Sequence, residues 1–268
     1  MTSTTSSNRQ WIVPPPSTNA EIRLFCFPPA GAGAGIYRRW TTELSPEIDV
    51  FRILPPGRES RLRESRCTDI EAYLDGLVPE LLPLLNKPFA FFGHSMGSLI
   101  AYSLAQRLNR AYSILPRHLF VSSFHPPHAI PNENIGDLPQ EDFIRELRSR
   151  YDGIPDQLLE EPELLELLLL IIRADLAIVE NYRYDPQHPI SCPISAFGGY
   201  SDNWVSEPQL LEWRDHTSAE FDISMYPGNH YFLDTVLADL CSKIRQSLIS
   251  ERKPQFAACR PNRPGSSQ

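Results

Sequence analysis

Residues Phe91-Phe92-Gly93-His94-Ser95-Met96-Gly97-Ser98 decide how this chain is read. They contain a G-x-S-x-G. The apolar run Pro88 to Phe92 before it reads as a buried strand, and Ile100, Leu104 and Leu108 after it recur four apart on one helical face. Strand, sharp turn and helix in that order are the setting of a serine nucleophile. Such a turn strains the serine backbone, and side chains at Gly93 and Gly97 would strike the neighbouring strand and helix. The turn lifts the Ser95 hydroxyl above the sheet. It also leaves the Met96 N–H at a helix N-terminus, where it can donate to an oxyanion. The five-residue pattern alone is weak, and its flanking strand and helix make it specific.

The chain has 268 residues, the length of one large α/β domain. Its 41% hydrophobic and 22% charged residues are ordinary for a soluble globular protein. A net charge of -8 argues against non-specific nucleic-acid binding. The longest apolar run, Leu167 to Ile172, is too short to span a bilayer. The first seven residues lack the charged-then-apolar order of a signal peptide. Cysteines stand at 26, 67, 192, 241 and 259 with no C-x-x-C, and Cys26 and Cys192 fall in or at the start of apparent strands. That usage suits reduced thiols, so the expected location is the cytoplasm.

Residues 1–20 are rich in Ser and Thr and then in Pro, and read as a flexible arm with Trp11, Ile12 and Val13 pinned to the body. One α/β domain is expected over 21–250, and a basic, Pro-rich, disordered tail over 251–268. Strands are expected at Glu21 to Phe27, Ile48 to Leu54, Arg117 to Ser123, Pro193 to Phe197 and Phe221 to Tyr226. Helices are expected at Tyr37 to Leu44, Ile70 to Leu85, Leu210 to His216 and Leu233 to Ile249. Between about 125 and 189 strand patterns disappear and Leu- and Glu-rich helical segments replace them. Such an insertion would fold over the serine as a lid. Its Leu167 to Ile172 stretch reads equally as an acyl channel or as plain core.

Pro28-Pro29-Ala30-Gly31-Ala32-Gly33-Ala34-Gly35 follows the first long strand. It has neither a G-x-G-x-x-G nor a G-K-[ST] ending, so it is not read as a phosphate cradle. Its small residues let a backbone N–H, that of Ala30, approach as a second oxyanion donor. The Pro55 to Arg66 loop carries four arginines. It reads either as a solvated face or as a patch that docks a phosphate or an acidic partner. His125 and His128 flank two prolines and there is no H-E-x-x-H, so no metal site is expected.

A serine nucleophile needs a base, and the base an orienting acid, in the chain order Ser, acid, His. His230 follows the last strand in a Pro227-Gly228-Asn229 loop; His216 precedes that strand and is set aside. Asp202 stands at the tip of the Gly198-Gly199 loop. Ser122 to Ile130, the other usual place for the acid, contains none, and Asp175 and Asp234 both read as helical. The expected triad is Ser95, His230 and Asp202, with Ala30 and Met96 N–H groups forming the oxyanion hole.

LFCFPPAGAG, PPGRESR, KPFAFFGHSMGS, HLFVSS, IIRADLAIVENYRY, FGGYSDNWV and YPGNHYFL together make the chain resemble the type II thioesterases of polyketide and nonribosomal-peptide assembly. The related medium-chain thioesterases of fatty-acid synthesis resemble it too. The resemblance covers about residues 11 to 248. It implies an α/β-hydrolase fold: a mostly parallel sheet, helices on both faces and a helical lid. It implies hydrolysis of acyl or aminoacyl thioesters on the phosphopantetheine arm of acyl or peptidyl carrier proteins. It further implies a monomer with no resident cofactor, and it places nucleophile, acid, base and oxyanion donors on the five residues named above. Arg58, Arg61 and Arg63 are the candidates for docking an acidic carrier. The family loop usually has two glycines after the alanine, whereas here Ala32 follows Gly31; activity is expected to survive, since the Met96 side of the hole is intact. A carboxylesterase acting on small esters, or a hydrolase-fold scaffold without activity, would share the fold.

Overall fold

Every residue of Ile22–Phe27 and of Phe89–His94 is buried. Only a sheet covered on both faces buries a strand at each position. The computed structural model describes residues 10–16, 19–151, 154, 156–186 and 188–250. Most of the expected N-terminal arm, the whole expected tail and Cys259 lie outside the described residues. Seven strands form the sheet: β1 Ile12–Val13, β2 Ile22–Phe27, β3 Ile48–Ile53, β4 Phe89–His94, β5 Leu119–Ser122, β6 Ile194–Gly199 and β7 Phe221–Tyr226. Their spatial order is β1-β3-β2-β4-β5-β6-β7. β1 is antiparallel to β3, and every other neighbouring pair is parallel.

The helices are α1 Trp40–Glu43, α2 Ile70–Leu81, α3 Met96–Tyr112, α4 Gln140–Tyr151, α5 Asp156–Leu159, α6 Pro162–Glu180, α7 Glu207–Leu211 and α8 Leu237–Ser250. Period-two alternation sorts the strand side chains between two cores. Phe25, Phe27, Phe91 and Val121 join residues of α2 and α3. Leu24, Cys26, Phe92 and Phe120 join α1 and α8. A third core belongs to the segment between β5 and β6, where Phe143 and Leu147 of α4 meet Leu165, Leu169, Ile172 and Leu176 of α6. Ala30 packs against this third core, so the helical insertion touches the loop after β2.

Several elements are shorter than the sequence pattern implies, for local reasons. The Ile70 helix ends at Leu81, and a 3-10 turn containing Pro83 covers Leu82–Leu84, because proline removes a helix donor. Its start is held by Asp69, which accepts from the Ala72 N–H at 3.0 Å. Of the expected helix Tyr37 to Leu44, Trp40–Glu43 is α-helical, as α1, and a 3-10 turn, Ala34–Tyr37, precedes it. A capping box between Ser206 and Gln209 starts α7 earlier than expected, and a 3-10 turn, Glu212–His216, completes that stretch. Among the described residues no helix is long and apolar enough to cross a membrane.

The strand order reverses between β2 and β4, so their two C-terminal loops open side by side. Phe27 pairs with Gly93 at that end. β6 and β7 end level at the Gly199–Tyr226 pair. The sheet thereby gathers the loops carrying Ala30, Ser95, Asp202 and His230 on one edge.

Trp11–Val13 is pinned to the outer edge of the sheet, along the C-terminal end of β3. Ile12 pairs with Ile53, and the Leu54 N–H donates to the Trp11 carbonyl at 2.8 Å. The Trp11 ring is buried, stands edge-on to Tyr73 at 4.9 Å and lies 4.6 Å below the Arg61 guanidinium. Trp11→Ala should therefore cost about 3–5 kcal/mol of stability, measured by chemical denaturation at equilibrium.

Candidate active site

Ser95 joins β4 to α3 with φ 52° and ψ -127°, a backbone conformation that costs about 1–3 kcal/mol for a residue with a side chain. Its neighbours explain why the turn persists. A Cβ on Gly97 would lie 2.2 Å from the Phe27 carbonyl oxygen, and one on Gly93 would lie 2.2 Å from the Gly97 oxygen. The Ser95 N–H donates to the Ser122 carbonyl at 2.8 Å. Ser98 ties the turn to β5: its hydroxyl donates to the Gly93 carbonyl at 2.9 Å and accepts from the Ser122 N–H at 3.0 Å. Sequence reasoning gave Ser98 no role, because a buried hydroxyl shows its partners only in three dimensions.

Asp202 and His230 meet as the loop spacing predicts. His230 Nδ1 donates to Asp202 Oδ2 at 3.0 Å, and both side chains are buried, at 1% and 0% exposure. The other carboxylate oxygen accepts from the Trp204 N–H at 2.8 Å and the Val205 N–H at 3.3 Å. Burial alone would push the Asp202 carboxyl up, but the hydrogen bond and charge of His230, with the Trp204 N–H, hold it below its ordinary value. With Nδ1 as donor, His230 Nε2 is the ring's basic nitrogen, and it is buried with no partner among the described residues. Tyr151, Tyr231 and His94 surround the ring at centroid distances of 5.0, 5.3 and 5.4 Å. His94 bonds the Ser122 hydroxyl at 2.9 Å, and its pKa is pushed down to about 3, first by burial and then by the charge of His230. It therefore stays neutral beside the pair near pH 7.

Ser95 opens into a largely apolar cavity of about 40 Å³ with Ala30, Met96, Tyr151, Ile172 and Leu176 on its walls. The floor comes from the β2 and β4 loops, and the roof from α4 and α6. Ala32 is half-buried and is not among the lining residues, so its methyl does not narrow the cavity. The rejected acids and base lie elsewhere. Asp234 is exposed beside Arg39, and His216 bonds His128 at 2.8 Å and the Tyr102 hydroxyl at 3.1 Å. Among the described residues no cluster of three or more His, Cys, Asp or Glu stands ready to hold a metal.

Two of the three candidate docking arginines are not surface groups. Arg58 and Arg61 are each 4% exposed. Arg58 forms a two-pronged pair with Asp175 of α6, both contacts at 2.6 Å. Arg61 grips Glu64 at 2.6 and 3.0 Å, donates to the Leu54 carbonyl at 2.8 Å and covers Trp11. Partners inside the protein turn these two charges inward; Arg63 alone of the three is exposed. Asp175 also accepts from the Gly31 N–H at 2.8 Å, a contact the sequence pattern did not reveal.

The thioesterase domain family matches residues 22–248. The chain belongs to that family. The gramicidin S biosynthesis protein GrsT of Aneurinibacillus migulanus is 41% identical over 235 residues, 87% of this chain and 91% of that protein. A Brevibacillus parabrevis protein named linear gramicidin dehydrogenase LgrE is also 41% identical, over 255 residues, 93% of this chain and 97% of it. The second name does not suit this chain: its Gly31–Gly35 loop lacks the dinucleotide spacing, and the Gly31 N–H is already held by Asp175. The type II thioesterase BorB from the borrelidin biosynthetic cluster superposes with a TM-score of 0.80 at 32% identity, covering 89% of this chain and 97% of that one. The fold is the α/β-hydrolase fold, and the enzyme is a hydrolase of thioesters.

The loops of this thioesterase that carry Asp202 and His230 touch through Gly199, where a Cβ would lie 2.5 Å from the carbonyl oxygens of Gly228 and Asn229. Gly199→Ala should push the two loops apart. The expected result is a folded sheet by circular dichroism with at least a roughly 10²-fold loss of turnover, the scale set by a misplacement of about 1 Å.

Proposed function

We propose that this enzyme is a type II thioesterase that clears acyl or aminoacyl groups from the phosphopantetheine arms of carrier proteins in nonribosomal-peptide or polyketide assembly. The single observation that supports the reaction is the buried Asp202–His230 pair, whose Nε2 is left without a partner among the described residues, on the same edge of the sheet as a strained serine that opens into an apolar cavity. Ser95 attacks the thioester carbonyl while His230 Nε2 takes its proton. The oxyanion is received by the N–H groups of Ala30 and Met96. His230 then protonates the departing phosphopantetheine thiolate, leaving an acyl-serine. Water, deprotonated by His230, releases the acid and restores Ser95. Asp202 holds the imidazole in the Nδ1–H form throughout and stabilises its cation.

The insertion over residues 125–189 serves as the lid in this reading. Its α4 and α6 supply Leu147, Tyr151, Ile172 and Leu176 to the cavity. The same reading makes the protein a cytoplasmic monomer whose cofactor-like group arrives on the substrate, and it leaves Arg63 as the exposed cation of the carrier-facing loop.

The test is intact mass spectrometry of acetyl-, aminoacyl- and medium-chain-loaded carrier proteins before and after incubation. Wild-type enzyme should leave free phosphopantetheine thiol, and Ser95→Ala should leave the acyl group in place. Turnover of a small nitrophenyl ester with no carrier stripped would replace this reading with a carboxylesterase. Asp202→Asn should lower kcat roughly 10³–10⁴-fold with KM little changed, because the imidazole is then held in the wrong tautomer. Arg63→Glu should raise KM for carrier substrates and leave KM for a small thioester as it is.

A further inference from the structure

We infer that Arg58 and Asp175 are positioning residues for the oxyanion hole, acting through the loop that carries Ala30; the inference rests on the thioesterase reading of the site. The geometry is specific. Asp175 Oδ2 accepts from the Gly31 N–H at 2.8 Å, and Arg58 Nη1 donates to the Ala32 carbonyl at 2.9 Å. The two side chains close on each other through both carboxylate oxygens at 2.6 Å. One ion pair thus holds the Ala30–Gly31 peptide through its N–H and the Ala32–Gly33 peptide through its carbonyl, directly after Ala30. Because the Gly31 N–H is committed to Asp175, the donor facing the reacting centre is the one before it, on Ala30.

Stability alone is a poor reason for this pair. The side chains are 5% and 2% exposed, and two charges taken that far from water cost several kcal/mol each, so an apolar pair of equal volume often serves stability as well or better. Burial works against the Arg58 charge, and Asp175 more than offsets it, holding the guanidinium above its ordinary value. What an ion pair supplies and a methyl cluster does not is direction: a carboxylate oxygen fixes where an N–H points. The further side-chain anchors of the loop, Glu59 on the Gly35 N–H at 2.8 Å and Arg52 on the Ala34 carbonyl at 3.5 Å, lie beyond Ala32. Gly31 has φ +81°, and a Cβ there would lie 2.7 Å from Ile172 Cγ1, so helix and loop are in contact and the backbone is free to turn without a clamp.

Ile172 and Leu176 line the acyl cavity on the same helix that carries Asp175. A single face of α6 therefore walls the substrate and clamps the oxyanion loop. Arg173, two residues from Asp175, instead donates to the Gly136 and Leu138 carbonyls and lies 4.1 Å over the Phe143 ring. That fixes α6 to the segment leading into α4. The motif Ile171-Ile172-Arg173-Ala174-Asp175-Leu176 so acquires a division of labour: the arginine anchors the insertion and the aspartate orients the catalytic loop.

The test uses the full-length enzyme, a small acyl thioester and a trifluoromethyl ketone analogue, whose hemiketal oxyanion with Ser95 occupies the hole. In Arg58→Met/Asp175→Leu no buried charge is stranded, and its thermal midpoint should stay near that of wild type. Its kcat should fall about 10²-fold, the scale of an oxyanion donor, with KM changed less than about threefold and the ketone weakened in proportion to kcat/KM. Arg58→Lys keeps the charge but loses the two-pronged grip, and should show a smaller loss of kcat with the same unchanged KM. Either variant folded, with wild-type kcat and wild-type ketone affinity, overturns the assignment and makes the pair structural. If the double variant does not fold, Arg58→Lys decides alone. Wild type is the reference: no thioester turnover and no ketone binding there would overturn the thioesterase reading instead.

Discussion

At Gly97 the first turn of α3 lies against the last carbonyl of β2 so closely that a methyl group has no room between them. The site depends on that approach. It sets the distance between the loop after β2 and the turn at Ser95, and it holds Ser95 in a backbone conformation it would not choose by itself. The strain is carried by ordinary hydrogen bonds around it, from the Ser95 N–H to Ser122 and from Ser98 to both neighbouring strands. A rigid sheet edge, rather than any flexible element, supplies this part of the preorganisation.

The opposite half of the site is built on a second close approach. Gly199 brings the ends of β6 and β7 together, so a carboxylate and an imidazole from different loops meet at 3.0 Å. Both are shielded from solvent, which keeps their interaction strong and the ring tautomer single. Ser95 and the Asp202–His230 pair are thereby placed by two independent backbone contacts within one sheet. The helical insertion adds the third wall and, through Asp175, reaches the loop beside the serine.

What could be read from the sequence follows from which constraints are local. The serine turn, the acid loop and the base loop each follow a strand at a fixed offset, so Ser95, Asp202 and His230 announce themselves through neighbours in the chain. Arg58 does not: its partner lies 117 residues away, and four arginines in twelve residues look like a solvated run until the fold supplies the carboxylate. The same holds for Arg61, whose stem and charge are covered by Trp11 from the N-terminal strand. The 3-10 turn at Glu212–His216 reads as helix in the sequence because a five-residue stretch carries no periodicity to separate the two. β1 is two residues long, below the length at which alternation can be recognised at all.

That short strand has a consequence for the protein in a crowded solution. A sheet edge exposes unpaired amides that invite a strand from another molecule, and long flat edges are where aggregation begins. Here the outermost strand stops after Val13 and runs directly into Pro14-Pro15-Pro16. Proline has no N–H to offer, so an incoming strand finds half of its ladder missing beyond Val13. The Trp11 strap therefore does more than seal the core against solvent: it ends the sheet with a segment that is a poor template for further pairing.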